Sequence, residues 1–203
     1  MPWDLTVLRA VIQLRSPGLD AVLSVITAFG ATSTVLLLWM LLLLVRSRLG
    51  GWQAWVLSGW PLVANLAILM LKAIFERLGP PGELVRLPLY VEPLIALEAW
   101  LKLGLAGLMG SALQTAPSFA FPSGHAYLSA AFFGWLALVI VRRAAPRARL
   151  GVLGLATLAS LVAVSRVYFA VHWPSDVLAS WLLATISLIL VAWLTRPPGP
   201  RPA

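Results

Sequence analysis

The chain carries only two histidines, and each sits in a polar cluster at the edge of an apolar stretch. The first closes the run Pro122-Ser123-Gly124-His125. The second belongs to Ser165-Arg166, followed after five residues by His172 and after three more by Asp176. A third feature is Lys72, with Glu76, Arg77 and Gly79-Pro80-Pro81 behind it. Pro122 is placed for a first helical turn. Ser123 and Gly124 leave backbone N–H groups at the positive end of that helix, an arrangement that binds phosphate. Asp176 falls four residues after His172, where its carboxylate can hold the imidazole. Two imidazoles, one carboxylate, two or three cations and a helix N-terminus suit phosphoryl transfer through a covalent histidine intermediate. One imidazole, kept in the right tautomer by Asp176, attacks phosphorus. The other protonates the departing oxygen, a contribution of about 10²–10⁴-fold. The Lys and Arg charges take the part a metal would play, and two histidines with scattered carboxylates make a poor metal cage, so no metal or other cofactor is expected. Each piece also has a plain structural use: Lys72 as a snorkelling lysine, Asp176 as a helix cap, His125 as a satisfied polar residue. Arg166 is harder to explain that way, since a charge at the bilayer centre costs about 2.5–3.5 kcal/mol on insertion scales.

The elements that must position these groups live in a bilayer. Of 203 residues, 61% are hydrophobic and only 11% charged, and the mean hydropathy is +0.92. A soluble domain is nearer half apolar and a quarter charged. There is no cysteine, which excludes disulfides, thiol nucleophiles and Cys-ligated zinc. About 20 helical residues cross the hydrocarbon core. Five segments come close: Ala21–Val45, Trp52–Leu71, Ala126–Val141, Leu150–Tyr168 and Val177–Leu194. The third is short unless Phe119 to His125 begins the crossing. Leu5–Leu14 is too short to span, carries Arg9 and stops at Ser16-Pro17-Gly18, so an interfacial helix is expected. Val91–Leu113 is long enough to span but holds Glu92, Glu98 and Lys102. Its leucines recur at helical spacing and Glu98 pairs with Lys102, which predicts an amphipathic helix at the interface. No cleavable signal peptide is recognisable. The reading is an all-α, polytopic helical membrane protein of about five spans, with residues 1–195 as one domain and 196–203 as a disordered tail.

With five spans, one side of the membrane holds eight basic residues (Arg46, Arg48, Arg142, Arg143, Arg147, Arg149, Arg196, Arg201) and no acidic one. The other holds seven basic residues, three of them Lys72, Arg77 and Arg166, together with every Asp and Glu. If those three belong to a site, the Lys/Arg bias makes the first side, with the C-terminus, cytoplasmic. All three polar clusters then face outward. The net charge of +8 reflects this topology rather than nucleic-acid binding, because the arginines are split among loops flanking apolar spans. Five of the ten tryptophans (Trp3, Trp52, Trp55, Trp100, Trp193) lie near membrane boundaries, where indole is favoured.

The two histidine clusters resemble the signature of the type 2 phosphatidic acid phosphatases, membrane lipid phosphatases related to the vanadium haloperoxidases. The second family motif, P-S-G-H, is matched without change by Pro122 to His125. The third, S-R-x5-H-x3-D, is matched by Ser165, Arg166, His172 and Asp176. The resemblance runs roughly from Leu71 to Val191. It implies His172 as nucleophile, Asp176 as its orienting partner and His125 as general acid, with Ser123, Gly124, Arg166 and Lys72 holding phosphate. The first motif departs from the pattern: lysine, six residues, Arg-Pro is expected, and Gly79-Pro80 stands where Arg-Pro should be. Either Arg77, with Arg86 a more distant substitute, rebuilds the phosphate pocket, or the enzyme is slower or tuned to another head group.

The resemblance implies a membrane phosphatase acting on a lipid phosphate or diphosphate at the outer face, with membrane lipids as its surroundings. For a bacterial chain in its plasma membrane, undecaprenyl diphosphate is the first expectation, since an outward site suits recycling of a carrier lipid that emerges there. Phosphatidic acid or phosphatidylglycerol phosphate is the alternative. Val91–Leu113 is expected to border the route by which lipid reaches the site. The missing arginine supports a different class, a subunit that binds lipid phosphate without turning it over. Intact His125, His172 and Asp176 favour the enzyme. A transporter would carry more polar residues well inside its spans than Asn65 and scattered Ser and Thr.

Overall fold

The computed structural model describes residues 2–44, 59–86, 119–142 and 148–195. Among them the chain is all helical. Helix α1 covers Pro2–Ile12 and α2 covers Pro17–Ala28. Pro17 is pre-set for a first helical position, and the Ser16 hydroxyl caps the helix by accepting the Leu19 N–H at 3.4 Å. Helix α3 follows as Thr32–Leu44, bent by 54° from α2. The single span expected over Ala21–Val45 is therefore two helices. The run Gly-Ala-Thr-Ser-Thr at 30–34 interrupts the apolar stretch where α3 begins, but the segment as a whole is apolar enough to read as one span. The break falls at Gly30, where a Cβ would lie 2.6 Å from Val162 Cγ1 and 2.9 Å from the His125 carbonyl oxygen. Only glycine permits that approach.

Helix α4, Trp60–Phe75, begins with Pro61 in its first turn and runs past the expected limit at Leu71. Lys72 accordingly lies inside the last turn, and Glu76 closes the helix in the left-handed region at φ 46°, its N–H donating to the Lys72 carbonyl at 3.1 Å. Helices α5 (Gly124–Arg142), α6 (Ala148–Tyr168) and α7 (Pro174–Leu194) have 19, 21 and 21 residues. At 1.5 Å per residue each is about 30 Å long, the thickness of the hydrocarbon core. Helix α5 starts at Gly124, two residues before the apolar run, which lengthens the short third span and puts His125 in its first turn. Among the described residues three helices are long and apolar enough to cross a membrane, or the spans number four when α2 and α3 count as one broken span, and α4 is a shorter apolar helix. The chain is an integral membrane protein. The amphipathic helix expected at Val91–Leu113, the first residues of the span from Trp52 and the tail at 196–203 lie outside the described residues.

Helix α5 is the centre of the bundle, packed by α6, α7, α4 and α3. Tyr127, Leu128, Phe132 and Phe133 are buried there, with Phe132 and Phe133 edge to face at 5.5 Å. The apolar residues left exposed, such as Leu44 on α3, Leu150 on α6 and Leu182 and Ile189 on α7, face outward, as helices that are apolar all round require in lipid. One end of the bundle collects the C-termini of α4 and α6 and the N-termini of α5 and α7. The short helices α1 and α2 pack against α6 at that end, and α1 also touches α7.

Candidate active site

The spacing of the third motif is the geometry of a helix stop followed by a helix start. After Tyr168 the chain turns with Ala170 at φ 54°. The N–H groups of Val171 and His172 then fold back onto the Arg166 carbonyl at 3.1 and 3.3 Å. The five residues between Arg166 and His172 are the end of α6 and this turn, and they bring the imidazole back over the end of α6. Trp173 precedes α7 with Pro174 in the first turn, and Asp176 stands at the third helical position. From there Asp176 Oδ2 accepts the Trp173 N–H at 2.9 Å. The helix-cap use foreseen for Asp176 is real, and the same oxygen lies 3.9 Å from His172 Nδ1.

The closer partner of His172 is the Ala120 carbonyl oxygen, 2.7 Å from Nδ1. A carbonyl only accepts, so Nδ1 carries the proton and Nε2 keeps its lone pair. His172 is buried. Burial first, then the positive charges of Arg166 and Lys72, hold it well below its ordinary pKa, against the opposing pull of the Ala120 carbonyl. The result is a neutral imidazole with its basic nitrogen Nε2.

Around it stand the other expected residues. Ser123, fully buried, receives the Ala126 N–H on its hydroxyl at 3.5 Å, and its own N–H donates to the Asp176 carbonyl at 3.5 Å, which ties the two motifs together. A Cβ on Gly124 would meet Asn65 Oδ1 at an ordinary 3.6 Å, so bulk is not what the glycine avoids. His125 lies in the first turn of α5 under the α2–α3 bend. Lys72 Nζ donates to the Phe119 carbonyl, and Arg166 Nη1 donates to Thr27 Oγ1 at 2.9 Å. Among the described residues no group of three His, Asp or Glu side chains is placed to hold a metal ion.

Gly79 sits beside the site, since a Cβ there would point at Ala120 Cβ and the Val171 oxygen at 3.8 and 3.9 Å. Arg77 has other partners. Its Nη1 meets Asp176 Oδ1 at 2.6 Å and Ser175 Oγ at 2.7 Å, and its Nη2 meets Asp4 Oδ2 at 2.9 Å. Arg86 also has a carboxylate, Asp20 Oδ2 at 2.5 Å, in a cluster where Asp20 Oδ1 accepts the Tyr168 hydroxyl at 2.8 Å. Sequence reasoning missed Asp4, Thr27, Gly30, Ser175 and the Ala120 carbonyl. Only Ser175, adjacent to Asp176, stood next to a flagged motif.

A family model described as the PAP2 superfamily matches residues 53–198. In fold the chain is similar to the crystal structure of the first transmembrane PAP2 type phosphatidylglycerolphosphate phosphatase from Bacillus subtilis. That match has a TM-score of 0.71 at 24% identity and covers 95% of this chain and 84% of the other. No curated protein matches the sequence.

Proposed function

Taking as premise that the chain belongs to the PAP2 superfamily and is an integral membrane lipid phosphatase, we propose that it hydrolyses undecaprenyl diphosphate through a phosphohistidine at the extracytoplasmic face of a bacterial plasma membrane. The observation that carries the mechanism is the 2.7 Å contact of His172 Nδ1 with the Ala120 carbonyl, which leaves Nε2 as the nucleophile. Nε2 attacks phosphorus in line as the bond to the leaving oxygen breaks, and His125 gives that oxygen its proton. Water then attacks the phosphohistidine, His125 takes a proton back, and inorganic phosphate leaves. Lys72, Arg166, Ser123 and the N–H groups from Gly124 onward hold the non-bridging oxygens and stabilise the transition-state charge. The bias of Lys and Arg supports the outward placement and a cytoplasmic C-terminus.

Phosphatidylglycerol phosphate or phosphatidic acid is the second reading. It is favoured by the fold shared with a phosphatidylglycerolphosphate phosphatase. Phosphate release from undecaprenyl diphosphate, phosphatidylglycerol phosphate and phosphatidic acid, measured side by side with and without excess EDTA, separates these readings. Release is expected to survive EDTA and to vanish in His172→Ala, with the fastest lipid naming the substrate. Release from a phospholipid alone would overturn the first choice. No release from any would mean a subunit that binds lipid phosphate without turnover.

A further inference from the structure

Asp4 lies on α1, outside the residues matched by the family model, yet among the described residues it is the most completely enclosed carboxylate near the site apart from Asp176. Its Oδ1 accepts the Ser175 N–H at 2.9 Å, and its Oδ2 accepts the Ser175 hydroxyl at 2.8 Å and Arg77 Nη2 at 2.9 Å. Burial alone would push the Asp4 carboxyl up, but the donors from Ser175 and Arg77 outweigh it and keep the carboxylate charged. The other arm of the Arg77 guanidinium clamps Asp176 Oδ1 at 2.6 Å. Asp176 thus has Oδ1 on Arg77 and Oδ2 on the Trp173 N–H, the latter oxygen turned toward His172.

We propose that Asp4 is a positioning residue for the His172–Asp176 pair, acting through Arg77 and Ser175. This rests on the phosphatase reading and deepens it. A guanidinium is a rigid planar fork, so fixing Nη2 on Asp4 fixes the direction of Nη1. With two carboxylates on one guanidinium, the charge of Arg77 is already offset. Lys72 and Arg166 are left as the cations for phosphate, and Arg77 serves Asp176 instead of replacing the arginine missing at Gly79. Without Asp4 the guanidinium can swing toward an incoming phosphate and release Asp176, which loosens the imidazole at the moment of attack.

The test uses the purified full chain, short-chain phosphatidic acid in detergent micelles beside the best lipid of the panel above, and a thermal melt for each variant. Asp4→Asn is expected to lower kcat about 10- to 100-fold, the cost of slight misplacement in an active site, with KM little changed. Asp4→Glu should recover part of the loss. In an Arg77→Gln background, Asp4→Asn should cost almost nothing more, because the path it acts through is already cut. If Asp4→Asn does not fold, Ser175→Ala, which keeps both carboxylates and removes only the bridging hydroxyl, should still lower kcat several-fold. An unchanged kcat per folded molecule with a lower melting temperature would make Asp4 a structural residue and overturn the proposal. Full additivity of the Asp4 and Arg77 losses would overturn it too. A wild-type protein as silent as His172→Ala would instead overturn the phosphatase reading, and this inference with it.

Discussion

Replacing Gly30 by alanine puts a methyl group where three atoms already stand. Its Cβ would lie 2.6 Å from Val162 Cγ1, 2.9 Å from the His125 carbonyl oxygen and 3.0 Å from His125 Cβ, against an ordinary contact distance of 3.4–4 Å. Val162 is fully buried and β-branched, so its methyl cannot swing aside. The first turn of α5 has to give by about half an ångström in an interior packed like a crystal. Overpacking of this kind costs about 1–3 kcal/mol of stability. Because a 1 Å misplacement can cost about 10²-fold in rate, half of it at the proposed general acid should lower kcat about tenfold. The assay is phosphate release at saturating lipid, normalised to folded protein. Gly134→Ala is the control, since its Cβ would meet only Leu188, with Cδ1 at 2.5 Å and Cδ2 and Cγ at an ordinary 3.5 Å, a flexible side chain away from the site. It should leave kcat within about twofold of wild type. A Gly30→Ala enzyme with wild-type kcat, or a Gly134→Ala enzyme equally impaired, would refute the claim that the bend sets the position of His125.

Thr27→Val keeps the volume but removes the acceptor of Arg166 Nη1. A hydrogen bond to a charged group is worth about 1.5–3 kcal/mol, so KM should rise at least several-fold in steady-state kinetics while the fold survives. The pH dependence of kcat/KM should show an acid limb below the ordinary imidazole value of about 6.5, because burial, Arg166 and Lys72 all disfavour protonated His172. The unfolded chain takes up that proton near pH 6.5 and the folded chain does not, so stability should also fall as the pH drops below that value. Lys72→Met, besides lowering the rate, should move the limb upward. A wild-type limb at or above pH 6.5 would contradict this.

The two histidine motifs were legible because their spacings are set by local backbone geometry: a helix end and its turn between Arg166 and His172, and a first turn between His172 and Asp176. The start of α5 was legible for the same reason. Four features were not. Gly30 opens a short, weakly polar stretch, Gly-Ala-Thr-Ser-Thr at 30–34, too brief to divide the apolar run around it, so the composition still reads as a single span. Asp4 and Thr27 reach the site through contacts 171 and 139 positions away along the chain, which no local pattern encodes. The Ala120 carbonyl is a backbone group, and a methyl side chain says nothing about where the oxygen beside it points. Arg77 was singled out by position, and spacing alone could not show that two carboxylates meet it.

The order in which the chain is made gives the packing of α1 and α2 a further consequence. These two helices are made well before α6 and α7, against which they rest. Until α7 has been made, the Ser123 N–H lacks the Asp176 carbonyl that accepts it, and Asp4 has neither Ser175 nor the clamped Asp176 to bridge. Closing contacts between such distant segments is slow, because the entropy of a long loop must be lost before any contact forms. A ribosome-bound chain stalled before α7 therefore holds Lys72, Ser123, His125 and Arg166 but neither Ser175 nor Asp176. The cluster of carboxylates and arginine around Asp176 closes only once α7 has joined α1.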